Sequence, residues 1–379
     1  PLGLRTPGRR VSARLPDFPW DSLAAHRATA SAHPDGLVDL SVGTPVDPTP
    51  EVARAALREH ADSPGYPVTI GIERVRQACL DWLERRHGVT GLGLDQVIPS
   101  IGSKELVATL AQHLGVGPGD TGVFPELAYP TYEVGAVLAG ATPVATDSLV
   151  SLGPEAPALL WLNSPSNPTG HTLDAEALTK VIDTVAAKGG DVIVDEIYQG
   201  LNYDDAPLSA TSLSDDAFVV NSFSKYFGMT GWRLGWLVAP EQAVEPLTRL
   251  AQNVFLAAPT PSQHAALAAF TPECRDILET RRATLKQRRQ VLLDGLAELG
   301  LAPDLPPQGA FYLWLDISRY SRDSQAFCER LLVEENVAIT PGIDFAVQGG
   351  EHHVRIAFTN DVARLQEAVV RIARFVSRL

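Results

Sequence analysis

The chain has 379 residues, 45% hydrophobic and 20% charged, the balance of a globular protein with enough apolar material for two closely joined domains. Its formal net charge of −14 argues against nucleic acid or an anionic membrane surface as a partner, and leaves room only for a local basic cleft that takes a phosphate or a carboxylate. Three cysteines, Cys79, Cys274 and Cys328, are too few and too widely spaced for a disulfide framework or a zinc site, so they are expected to be reduced, buried and cytoplasmic.

Residues 1–10, "PLGLRTPGRR", lack the apolar core of a signal peptide and read as a disordered arm or a cloning remnant. No apolar run approaches the length of a bilayer span. The segment "LPDFPWDSLAAHRATA" is expected to pack on a smaller domain formed by the far end of the chain. Further on, "GIERVRQACLDWLERRHG" sets Ile72, Val75, Cys79 and Trp82 on one helical face and stops at a glycine, and "SKELVATLAQHLG" repeats Leu106, Leu110 and Leu114. Short apolar runs then follow: "TGVFP", "TPVAT", "PALLWLN", "DVIVDE", "AFVVNS" and "RLGWLVAP". Each is bounded by Gly, Pro, Asn or Asp, and helical stretches such as "DAEALTKVIDTVAAKGG" separate several of them. This is an α/β pattern, with a mostly parallel sheet covered on both faces by helices.

From Cys274 to Leu299 the spacing of Leu278, Leu285, Leu292, Leu296 and Leu299 predicts a long connecting helix. Beyond it, "GAFYLWLDIS", "VAIT" and "HHVRIAFT" read as strands and "DVARLQEAVVRIARFVSRL" as a closing helix, a smaller α+β unit. The expected division is a large domain over 45–270 and a small one from 11–44 together with 271–379. His352 and His353 have no metal-ligand company and read as solvated strand-edge residues. The cations Arg281, Arg282, Lys286, Arg288 and Arg289 read as a solvated helix face, since Asp276, Glu279 and Asp294 are interleaved with them.

In open α/β sheets, ligands sit beyond the carboxyl ends of the strands, so the polar residues that close each apolar run are the ones to collect. They are the Gly102-Ser103 turn that opens a helix, Asn167, Asp195 with Tyr198 three residues on, and Ser222 followed by Lys225. A helix N-terminus, an amide, a buried carboxylate and a lysine among Phe223, Tyr226 and Phe227 suit one cofactor, pyridoxal phosphate, held on the lysine as a Schiff base. Burial lowers the pKa of Lys225; Asp195 keeps the pyridine nitrogen protonated; Asn167 and Tyr198 reach the ring oxygen. Ser103 and the first helical amides, with Ser222 and Arg233, take the phosphate. Each residue alone has a plain alternative: Lys225 as a surface lysine, Asp195 as a cap, Ser103 and Lys104 as ordinary first-turn residues, Arg355 as a surface arginine on an edge strand. It is the six together, Asn167, Asp195, Tyr198, Ser222, Lys225 and Arg233, that favour the cofactor site.

The motifs "NSPSNPTG", "VDEIY" and "SFSKYFGMTGWRLGW", in this order, resemble those of the class I and II aminotransferases of the aspartate aminotransferase fold, from about residue 37 to the end. The resemblance implies a fold-type I transferase in which Tyr129 stacks on the cofactor and Tyr66 reaches the phosphate of a neighbouring subunit, hence a homodimer. It also implies that Arg355 clamps the α-carboxylate of an amino acid or 2-oxo acid, that Gly43 lies beside that substrate, and that Asn167-Pro168 is cis. "LPDFPWDSL", "HPDGLVDLSVGTPVDP", "IGSKELVA" and "LAYPTYEVGAVLAGA" are similar to the actinobacterial N-succinyldiaminopimelate aminotransferases of lysine biosynthesis. The segment around Lys225, "GAFYLW" and "PGIDFA" are closer to broad aspartate-like enzymes. The expected reaction is therefore amino transfer to 2-oxoglutarate. Its alternatives are a broad aspartate, alanine or aromatic aminotransferase, a lyase of carbon-sulfur bonds, and a cofactor-sensing regulator, for which the segment before residue 37 is too short to carry a helix-turn-helix.

Overall fold

The computed structural model describes residues 15–16, 30–31, 36–152, 157–204, 207–346 and 348–379. The expectation for residues 1–10 therefore lies outside the described residues, as does nearly all of the segment expected to pack on the small domain.

Seven strands form the central sheet. They are β2 (Val97–Ser100), β3 (Thr121–Phe124), β4 (Thr142–Ala145), β5 (Leu159–Asn163), β6 (Asp191–Asp195), β7 (Phe218–Ser222) and β8 (Gly235–Val238), in the spatial order β2-β8-β7-β6-β5-β3-β4. Strands β4, β3, β5, β6 and β7 run parallel, and β8 alone is antiparallel to both its neighbours. Strand β2, "VIPS", is the one strand of this sheet that its apolar pattern did not announce: four residues interrupted by a proline are short for a period-two signal.

Every residue of β5 and β7 is buried, and so is all of β6 but its first residue, because helices cover both faces. The pleat sends alternate side chains into two separate cores: Leu160, Leu162, Val192, Val194 and Val219 into one, Leu159, Trp161, Ile193, Phe218 and Val220 into the other. Each fully buried Leu, Val or Phe contributes about 1.5–3 kcal/mol, so a one-residue slip of any strand would be costly. The covering helices include α1 (Glu51–Glu59), α2 (Glu73–His87), α3 (Ser103–His113), α4 (Thr131–Ala139), α5 (Ala175–Ala186), α6 (Glu241–Val254) and α7 (Thr260–Ala269). The predicted faces hold: Val75, Cys79 and Trp82 of α2 and Leu106 and Leu110 of α3 are buried, and Gly88 closes α2 in the left-handed conformation.

The long helix α8 (Pro272–Ala297) starts at Thr271, whose hydroxyl accepts from the Cys274 amide, and buries Leu278, Leu285, Leu292 and Leu296. Its basic cluster is not the solvated face that the interleaved acids suggested. Arg288 and Arg289 are buried; Arg288 pairs with Asp47 and Arg289 with Asp204, while Lys286 also reaches Asp204 and Arg282 reaches Glu279. The partners of Arg288 and Arg289 come from distant chain segments, which no local charge pattern reveals.

Two further sheets are built from strands beyond α8 together with one strand from near the start of the described chain. Strands β9 (Tyr312–Asp316), β11 (Thr340–Pro341) and β12 (His353–Ala357) form one in the order β11-β12-β9, and β1 (Val38–Asp39) pairs parallel with β10 (Val337–Ala338) in the other. Helices α9 (Ser324–Glu335) and α10 (Val362–Val376) belong to the same stretch of chain. Since β12 is the central strand of its sheet, Arg355 and His353 are not edge residues: Arg355 is 1% exposed, and His353 stacks on Trp314 with centroids 5.1 Å apart. The three cysteines are free and buried. No helix among the described residues is long and apolar enough to cross a membrane.

Candidate active site

The parallel register of β5 against β6 sets Asn163 beside Asp195, and Lys225 follows three residues after the end of β7. Beyond these strand ends opens a cavity of about 500 Å³, into which Gly43 and Thr44 reach from the N-terminal side and Tyr312 and Arg355 from β9 and β12. Ten of the thirteen residues singled out from the sequence line it: Gly43, Ser103, Lys104, Tyr129, Asn167, Asp195, Tyr198, Lys225, Arg233 and Arg355. The other three lie elsewhere. Tyr66 is 91% exposed on its own chain, Gly102 sits behind Arg233, and the Ser222 hydroxyl is turned toward Ser224 (3.0 Å), which lines the cavity in its place.

The Lys225 amine donates to the Gly43 carbonyl (2.7 Å) and lies 5.8 and 5.6 Å from the ring centroids of Tyr198 and Phe311. Its pKa falls to about 8, first because burial penalises the ammonium and then because Arg355 repels it; Asp195 opposes the fall. Asp195 moves the other way, up to about 6. Burial raises it, against the lowering effects of the Ile197 amide, the Tyr132 hydroxyl and the Lys225 charge. Its two oxygens accept from Ile197 N (3.2 Å) and Tyr132 Oη (3.0 Å). No cation of the described residues is in ion-pair contact with it.

Arg355 is held from several sides. Its guanidinium lies between the rings of Tyr312 and Phe345, 4.2 and 4.4 Å from their centroids. One terminal nitrogen donates to Asn167 Oδ1 (2.8 Å), the other to the Ser41 carbonyl (2.7 Å), and its Nε is buried without a partner. Asn167 is itself fixed by the Asn163 side chain, which accepts from its amide (2.7 Å) and donates to the Asp195 carbonyl (2.8 Å). The bonds Ser164-Pro165 and Asn167-Pro168 are both cis; the second was anticipated and the first was not. Tyr198 and Tyr312 share a hydrogen bond between their hydroxyls (2.9 Å).

The start of α3 borders the same cavity through Ser103 and Lys104. Gly102 has φ +106°, and a Cβ there would come within 2.5 Å of an Arg233 terminal nitrogen, so only glycine lets that guanidinium approach the helix start. Lys104, at the rim, donates to Tyr129 Oη and Thr131 Oγ1, both at 3.3 Å. Tyr132, Tyr312, Asn163 and Ser224 are the site residues that sequence reasoning missed. Tyr132 stood in plain view, three residues beyond Tyr129 at the start of one helix; the others join the site through pairings across the fold.

The matching family model, aminotransferase class I and II, spans residues 35–372. The chain belongs to that family. It is 43% identical to a probable aminotransferase of Mycobacterium tuberculosis, over 96% of this chain and 86% of that protein. It is 37% identical to the 4-dedimethylamino-4-oxo-anhydrotetracycline transaminase of Streptomyces rimosus (94% and 99% covered), and 33% identical to an LL-diaminopimelate aminotransferase of Moorella thermoacetica (98% and 98%). Among solved structures, an aminotransferase from Mycobacterium tuberculosis superposes with a TM-score of 0.90 at 34% identity, covering 99% of each chain. The fold is therefore of the aspartate aminotransferase type, and the protein is a pyridoxal-phosphate-dependent transaminase.

The residues present fit that cofactor. Asp195 is a buried carboxylate with no cation of the described residues in contact, which a protonated ring nitrogen would satisfy, and Arg233 against the opening of α3, where Gly102 has φ +106°, would form a cradle for the phosphate.

Proposed function

We propose that this aminotransferase moves an amino group from an N-acylated diamino dicarboxylic acid of the N-succinyl-LL-2,6-diaminopimelate type to 2-oxoglutarate, as a step of lysine biosynthesis. The observation that carries the reaction is the pairing of Lys225, poised near pH 8, with the buried Asp195, in a cavity whose far side holds the arginine Arg355. When bound, pyridoxal phosphate supplies a carbonyl that condenses with amines and a ring that draws electrons from the substrate α-carbon. Arg355 binds the α-carboxylate that donor and acceptor share, which lets one site serve both halves of the exchange. Lys225, part neutral at working pH, takes the α-proton and returns it on the other side of the reacting nitrogen. Asp195 would hold the ring-nitrogen proton, Asn167 and Tyr198 would hydrogen-bond the ring oxygen, and Tyr129 would cover the ring. Ser103, the first amides of α3, Ser224 and Arg233 would anchor the phosphate, with Ser222 supporting Ser224 from behind.

A long acidic donor needs a cation beyond Arg355. Lys104, at the rim beside Tyr129, is the residue placed for it. The family likeness to an LL-diaminopimelate aminotransferase supports a donor of this shape, and the tetracycline transaminase likeness shows how widely donors vary within it. A homodimer completes the site in this reading: Tyr66, 91% exposed on its own chain, reaches the neighbour's phosphate. Residues 45–270 make the large domain, since the whole seven-stranded sheet lies within them, while 11–44 and 271–379 make the small one. A cytoplasmic setting accords with the three free thiols.

The test is a panel of donors, N-succinyldiaminopimelate, aspartate, alanine and aromatic amino acids, against 2-oxoglutarate, run on the native enzyme and on Lys104→Gln. Preference for the succinylated donor, reduced in the variant, supports the reading. Equal turnover of all donors makes it a broad aminotransferase, and release of pyruvate and ammonia from cysteine conjugates without an acceptor makes it a lyase.

A further inference from the structure

A second cavity of about 520 Å³, as large as the active site, lies between α2, α7 and the start of α8. Four arginines border it, Arg85, Arg86, Arg275 and Arg282, against one carboxylate among the described residues, Glu279. That carboxylate is already engaged: Arg86 (2.8 Å), Arg282 (2.7 Å) and the Tyr226 hydroxyl (2.6 Å) all converge on it. The Arg85 and Arg275 side chains make no ion pair or hydrogen bond among the described residues, and Arg86 Nε is buried without a partner. The acids of the same helices, Glu84, Glu273 and Asp276, do not line the cavity. In a chain of net charge −14, a hollow with four guanidiniums to one carboxylate is a local reversal of sign, which a solvated helix face does not require. Trp82, Phe227, Phe270 and Leu278 supply its apolar wall, and Asn202 adds one further polar side chain.

We propose that this cavity binds a small organic carboxylate with an aromatic or branched apolar body, its anionic end between Arg85 and Arg275 and its body against Trp82 and Phe270. The size falls within the range of small-molecule sites, where apolar walls supply burial and a few charged groups set orientation. Guanidinium and carboxylate match in plane and can pair at two points, whereas a body of aromatic size explains the depth of apolar wall. The place has consequences for the enzyme. Tyr226 and Phe227 follow directly on Lys225; Arg86 lies 5.0 Å over the Tyr226 ring and donates to the Gly200 carbonyl (2.9 Å), two residues from Tyr198. A ligand that draws Arg86 or Glu279 acts on the segment that carries the catalytic amine.

The probe is 1-naphthoate, titrated calorimetrically into the cofactor-loaded enzyme, with the neutral 1-naphthamide as its isostere. The expected result is one saturable site per chain that takes the carboxylate and discriminates against the amide. Affinity should weaken roughly fivefold in the Arg85→Gln, Arg275→Gln double variant, the loss of two rim ion pairs. Both positions are exposed, so folding and donor turnover should be retained. Arg355→Gln, at the carboxylate clamp of the active site, should leave naphthoate affinity within about twofold. The proposal is overturned if the amide binds as well as the carboxylate, if the double variant binds like the native enzyme, or if Arg355→Gln abolishes binding, which would place the probe in the active site.

Discussion

Tyr132 donates its phenolic proton to Asp195 at 3.0 Å, both groups buried, one from the first turn of α4 and the other from the end of β6. This bond counters part of the burial that drives the Asp195 pKa up to about 6. Tyr132→Phe removes it, so the Asp195 pKa should rise further and the acid limb of the kcat/KM profile should move to higher pH. The lost buried hydrogen bond should weaken the folded protein by roughly 1–3 kcal/mol in denaturant titration. An unchanged profile would show that Tyr132 does not act on Asp195.

Asp195 keeps its proton in the folded cofactor-free protein up to about pH 6, whereas in the unfolded chain it loses it near the ordinary carboxylate value of 3.8. Between these values the folded state binds more protons, so the contribution of this group to stability falls as pH rises through the window, and the penalty is complete above it. Asp195→Asn should therefore stabilise the cofactor-free protein at pH 7–8 while removing turnover. Thermal unfolding of the pair at pH 4 and at pH 7.5 checks this: the variant's advantage should appear only at the higher pH.

Lys225 has the opposite linkage. Its pKa is lowered from 10.5 to about 8, so the unfolded chain binds more protons between these values, and stability from this group rises with pH across the window. Since Arg355 is a named cause of the lowering, Arg355→Gln should raise the Lys225 pKa and shift the pH dependence of amine modification upward. Lys225→Ala should lose steady turnover and still bind the cofactor noncovalently, as read by equilibrium dialysis. Near-normal transamination by that variant would remove Lys225 from its role.

Arg355→Lys keeps the charge and loses the planar fork that is packed between Tyr312 and Phe345 and bonded to Asn167. Its effect should fall on carboxylate substrates, by roughly 2–5 kcal/mol in kcat/KM. Unchanged kinetics for every amino acid tested would place the clamp elsewhere.

Gly43→Ala sets a methyl group onto the Tyr312 hydroxyl, which is bonded to Tyr198 at 2.9 Å. Displacing that pair next to the Lys225 amine should reduce kcat/KM by about 100-fold, the scale of a 1 Å misplacement. Tyr312→Phe in the same chain frees space and should restore part of the loss; no recovery would mean that Gly43 matters for another reason.

The strands β5, β6 and β7 and their terminal residues were legible because an apolar run that ends abruptly in Asn, Asp or Ser carries both a period and a boundary. Lys225 and Asp195 could be named for the same reason. Strand β2 was silent because four residues with a proline hold no period, and the Arg288-Asp47 and Arg289-Asp204 pairs were silent because their partners lie 241 and 85 residues away. The sequence reading sets Ser222 toward the cofactor; its hydroxyl donates to Ser224 (3.0 Å), which lies past the end of β7 where the chain turns and no strand period applies.

By itself, the sequence determined which chemical groups this enzyme owns and the order in which strands deliver them, because hydrophobic period and chain breaks are local properties. Only the tertiary structure decided which groups meet: Tyr132 with Asp195, Arg355 with Asn167, and four arginines around a hollow bordered by Tyr226 and Phe227, next along the chain from Lys225. Those meetings depend on how separate segments pack, and the shifted pKa values of Lys225 and Asp195 arise from the burial that this packing produces.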